Sequence, residues 1–80
     1  MTIQIAYSRA QVIAEFQNNV KEHGYVLALI RLQHKEHWLF ATHADALQSL
    51  YCNVLWDLFS GDLEVDGETG ELIRDRKQVS

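Results

Sequence analysis

The chain has 80 residues, a net charge of −4, one cysteine and no proline. That is the size of a single domain, one that removes only ~60% of its unfolded surface from water. A lone Cys52 excludes an internal disulfide and any paired-cysteine metal site. The longest apolar run, residues 25–30, falls far short of the ~20 residues that cross a bilayer, which excludes a membrane span.

Two expectations follow from these bounds. Small domains gain from a staple or an oligomer, and with no staple available a homodimer is expected. The opening MTIQIAYSRAQV has no basic stretch leading into an apolar core, so no signal peptide is expected and the compartment is read as cytoplasmic. Charge is unevenly spread. Residues 1–43 carry four basic and three acidic side chains, and residues 44–80 carry three and eight.

Taken in order, Ile3, Ile5 and Tyr7 alternate with smaller or polar residues, the pattern of a short half-buried strand. Ser8 and Gln11 form a capping box, with Tyr7 and Val12 placed for a hydrophobic staple. Val12, Ile13, Phe16 and Val20 then make one narrow helical stripe, which Gly24 ends. Residues 25–32 are almost continuously apolar and predict a central strand covered on both faces. Gln33, His34, Lys35 and Glu36 suit a hairpin turn, and the aromatic-rich 37–41 a returning strand.

The organising stretch is 42–60, read as a helix capped by Thr42 with Asp45 completing a capping box and Gly61 ending it. Leu47, Leu50, Tyr51, Val54, Leu55, Leu58 and Phe59 recur at three- and four-residue steps. Cys52 and Trp56 widen the apolar arc to roughly 200°, twice what a surface helix needs. Ser49, Asn53, Asp57 and Ser60 are left as a polar strip. Tyr51, Cys52, Leu55, Trp56 and Phe59 are therefore the expected dimer or partner interface.

After Gly61, Leu63 and Val65 alternate with acids, residues 67–70 turn, and 71–74 predict a second strand. The expected fold is α+β, a single domain over residues 1–74. It has a β-α-β-β-α core followed by either a short acidic β-hairpin or a mostly extended tail, with residues 75–80 fraying.

No motif carries catalysis. His34 and His37 with Glu36 lie on a predicted turn and fall short of the four ligands of structural zinc. Cys52 has no neighbouring base or cation to activate it, and is expected to be a packed, inert thiol. The segment from Asp62 to Gly67 resembles the opening of a calcium loop, but Ile73 stands where the bidentate glutamate belongs. None of the glycines builds a phosphate loop. No catalytic, cofactor-binding or metal residues are assigned, no cofactor is expected, and the chain is not read as an enzyme. The acidic segment is assigned to a basic protein partner, through Asp62, Leu63, Glu64, Val65, Asp66, Glu68 and Glu71. Arg9, at a helix amino end, is the candidate DNA contact, and only a dimer would supply enough cations.

Ile5-Ala6-Tyr7-Ser8-Arg9-Ala10, Asn18-Asn19-Val20, the 25–32 strand with its hairpin, and Thr42-His43-Ala44-Asp45-Ala46-Leu47 together resemble the Phd/YefM family of antitoxins, over residues 3–55. Trp38 and Phe40 depart from it, standing where smaller aliphatics are usual. The resemblance implies a dimer that contacts operator DNA through its amino-terminal part and neutralises a toxin with its carboxyl-terminal segment. Two rival readings stand beside it. One is a phage- or plasmid-encoded inhibitor or adaptor that binds a host protein complex without DNA, and the other is a structural dimer.

Overall fold

The Ser8 hydroxyl caps the first helix as the sequence predicts, accepting from the Gln11 amide at 3.2 Å. The structure, a computed structural model, describes residues 8–42 and 45–77; the expected strand over 2–7, and Tyr7 of the staple with it, lie outside these. Helix α1 (Arg9–His23) buries Val12, Ile13, Phe16 and Val20, the predicted stripe. It stops at Gly24, whose φ of 87° is open to glycine and strained for other residues.

The next element corrects the sequence reading. Residues 25–41 are one helix, α2 (Tyr25–Ala41), where two strands and a hairpin turn were expected. Gly24 serves both helices at once: its amide donates to the Val20 carbonyl, and its own carbonyl accepts from Ala28. The helical period is carried by Ala28, Leu32, Lys35 and Leu39, at steps of four, three and four. The three apolar members are buried. Gln33 and His34, expected in the turn, and His37, expected to open the returning strand, simply face outward on the same helix. Val26, Leu27, Ile30 and Phe40 face outward too. That uncovered apolar surface hid the period.

Thr42 ends α2, its hydroxyl donating to the Leu39 carbonyl at 3.1 Å; residues 43 and 44, where the expected cap of the next helix would form, lie outside the described residues. Helix α3 (Asp45–Ser60) is the predicted organising helix. Strands β1 (Leu63–Val65) and β2 (Leu72–Asp75) form the predicted acidic hairpin, antiparallel, with an irregularity between Glu64 and Val65. Among the described residues the fold is thus mostly helical: three helices followed by a two-stranded ribbon, and not a β-α-β-β-α core. Among the described residues no helix is long and apolar enough to cross a membrane.

One core joins all the layers. Phe16, Val12 and Val20 of α1 meet Ala28, Leu32 and Leu39 of α2, Tyr51, Val54 and Leu55 of α3, and Leu63 and Val65 of β1. The Phe16 and Tyr25 rings pack edge to face, 5.6 Å apart. The turn of the hairpin lies against α1, where Gln17 Nε2 donates to the Gly70 carbonyl at 3.1 Å.

Candidate functional site

Helix α3 has more apolar surface than the fold covers. Tyr51 and Val54 are fully buried and Leu55 nearly so, which satisfies the core. Trp56 and Phe59 are left 67% and 63% exposed. With Cys52, Leu55 and Glu36 of α2 they line an open groove of about 250 Å³ between α2 and α3. Gln48 Nε2 donates to Glu36 Oε1 at 2.5 Å, tying the walls together.

Of the five residues expected at an interface, four line this groove and Tyr51 does not. The Tyr51 hydroxyl donates to Glu15 Oε2 at 2.9 Å, and Lys35 lies over its ring, 5.4 Å from the centroid, while bonding Glu15 Oε1 at 2.8 Å. Tyr51 is therefore a core tether between α3, α1 and α2.

Cys52 is half-buried against the groove and does not belong to the sealed core that the sequence suggests. A maleimide should label it in the native protein, and at a rate that does not fall when a stabilising osmolyte suppresses unfolding. Labelling that tracks global unfolding would place the thiol inside.

The acidic segment is mostly structural. Leu63 and Val65, expected to anchor a partner, are core residues. Glu64 pairs with Arg74 at 3.2 Å. The Asp66 carboxylate accepts the amides of Glu68 and Thr69 at 2.7 and 3.0 Å, which hold its carboxyl below the usual carboxylate range and shape the turn. Glu68 and Glu71 are exposed and make no ion pair among the described residues.

A polar cluster at the other edge of α3 escaped the sequence reading. Asp57, assigned to the solvent strip, is 1% exposed. Arg9 donates one bond to it at 2.8 Å and grips Asp75 with two more, at 2.6 and 2.9 Å. Lys77 lies 2.7 Å from the other oxygen of Asp57. Burial alone would push the Asp57 carboxyl up, but the bonds from Lys77 and Arg9 outweigh it and hold it low. Asp75 is likewise held low, chiefly by Arg9, and Arg9 itself is shifted up by Asp75 first and, against its own partial burial, by Asp57.

The cluster staples the start of α1 to α3 and to the end of the hairpin. It neutralises the side chain expected to meet DNA, and it holds Asp75 and Lys77, which were expected in a fraying end. The only signal in the sequence was an aspartate in a helix otherwise short of charge.

His34 and His37 are exposed on α2, and among the described residues no group of three or more His, Cys, Asp or Glu is set to hold a metal ion. Lys21, Arg31 and Arg76 are exposed without an ion pair among the described residues, a thin complement for a phosphate backbone. The strand and helix order that the Phd/YefM resemblance implies is not the order found. Comparison with family models, with curated proteins and with solved structures gives no match.

Proposed function

We propose that this protein is a small non-enzymatic binding module that meets a protein partner through the groove between α2 and α3. The supporting observation is the pair of large aromatic rings, Trp56 and Phe59, left in water beside a groove while twelve other apolar side chains among the described residues are buried. Aromatic residues in such positions are the usual energetic anchors of protein interfaces. Several of the carboxylates and cations that a catalytic reading would need are engaged in holding the fold: Asp57, Asp75 and Arg9 in one cluster, and Glu15 and Lys35 in another.

A second reading gives the same rings a second copy of the chain, forming a two-fold dimer. It is favoured by the further apolar side chains on the outside of α2, Val26, Ile30 and Phe40, which a pairing of helices would cover. Both readings set aside DNA, since Arg9 is neutralised within the fold.

Photocrosslinking sorts the readings. A benzophenone side chain replacing Phe59 should yield a discrete adduct in the native host, and one replacing Glu68 none. An adduct of twice the chain mass would assign the face to a second copy. Adducts from position 68 alone would move the binding surface to the hairpin and end the proposal.

A further inference from the structure

We infer that the groove between α2 and α3 receives a cationic side chain, arginine before lysine, from a basic segment of the partner; this rests on reading the groove as the partner-binding face. Glu36 is the one charged residue of the lining. Its carboxylate enters no ion pair among the described residues, and the bond from Gln48 to one oxygen fixes the direction in which the other points. The opposite wall offers no substitute cation, because α3 carries no lysine, arginine or histidine in its 16 residues. A held carboxylate beside apolar walls, with no cation of its own, is complementary to a cation brought by something else.

The aromatic residues narrow the choice further. A ring face attracts a cation through its quadrupole, and tryptophan does so best. The guanidinium group is planar and weakly hydrated, so it stacks on an indole while bonding a carboxylate, which the compact ammonium of lysine does less well. Its methylene stem would lie along Cys52 and Leu55, as such stems do on apolar surface. Size agrees: at about 250 Å³ the groove is under the ~300–1,000 Å³ of small-molecule sites, and is open enough for a side chain presented on a chain. The net charge of −4 would speed the approach of a basic segment without fixing where it docks.

The test is an NMR titration of the isotope-labelled full chain with two peptides that differ at one position. One is acetyl-Ala-Leu-Arg-Leu-Ala-amide and the other carries citrulline, the uncharged isostere, in place of arginine. The arginine peptide should shift the Trp56 indole and the Cys52 and Phe59 amides saturably. The citrulline peptide should bind about three- to thirtyfold more weakly, the worth of one exposed cation–π contact and one exposed ion pair. Glu36→Gln, which keeps the contact with Gln48, should remove the ion-pair share of that difference, about 1.5- to fivefold, and leave the share due to Trp56. Equal binding of the two peptides would leave the groove an apolar docking face and overturn the cationic assignment. Shifts confined to Glu68 and Glu71, or no response of the groove to either peptide, would also overturn it. Trp56 signals that move on dilution and ignore both peptides would give the groove to a second copy, and the cationic assignment would fall with them.

Discussion

Replacing Arg9 by methionine should lower the midpoint of thermal unfolding by more than about 12 °C. The guanidinium bridges Asp57 and Asp75, whose side chains are 1% and 4% exposed. Without it, among the described residues Asp75 keeps no cation and Asp57 keeps only Lys77, itself largely in solvent. Breaking a buried ion pair from one side costs about 3–5 kcal/mol, because it strands charge away from water. A domain of this size holds only about 4–12 kcal/mol in total, and each kcal/mol moves the midpoint by about 4–8 °C. A midpoint within about 4 °C of the parent would mean that the cluster is open in solution.

The same cluster sets the acid limit of the fold. Asp57 and Asp75 have folded-state pKa values below their unfolded values, so their contribution is complete above the unfolded aspartate value of about 3.9. It is lost as pH falls through the lower folded values. Lys77 and Arg9 are raised, so theirs is complete below the unfolded values and lost only as pH rises through the folded ones, beyond about 10. Stability measured by urea should therefore be flat across neutral pH so far as these groups decide it. It should fall below about pH 4, with a shallower fall in the Arg9→Met protein.

Gly70→Ala should cost about 2–5 kcal/mol, the second large effect. Gly70 is buried with a φ of 76°, and an added Cβ would lie 2.6 Å from the Gln17 carbonyl oxygen on the backbone of α1. Left-handed backbone costs a residue with a side chain about 1–2 kcal/mol, and overpacking adds about 1–3. Helix backbone cannot swing aside, so the hairpin turn must lift. Gly61 provides the control, with a φ of 86° and nothing within 4 Å of an added Cβ. Gly61→Ala should carry the backbone penalty alone. If urea midpoints show the two variants equally destabilised, the turn does not rest on α1 as described.

Local rules carried the reading of α1, α3 and the hairpin, because their signals are local: a serine cap, a three-to-four spacing, a glycine after each helix, alternation around a glycine-bearing turn. They failed at α2 for a physical reason. The run from Tyr25 to Leu32 is apolar on every side, so it has no period of its own, and its length suits a strand. The period emerges only when Gln33, His34 and His37 are taken as the outer face of one helix whose inner face runs on through Lys35 to Leu39. The groove was half legible. A surplus arc on α3 pointed to Trp56 and Phe59, but Glu36 was read as a turn residue, and only a helical α2 brings it beside them. The Arg9 cluster was not legible, since nothing in a sequence says which charges 48 and 66 residues apart will meet.

That separation bears on kinetics. The helix pairs α1–α2 and α2–α3 close short loops, whereas joining Arg9 to Asp75 closes nearly the whole chain, and loop-closure entropy rises with length. The staple should therefore form after the barrier to folding has been crossed. Interactions absent from the transition state weigh on escape from the native state. The Arg9→Met chain should refold at nearly the parent rate and unfold about a hundredfold faster or more. On this view the staple acts as a kinetic lock: its contribution to how long the native state persists is far larger than to how quickly that state is reached.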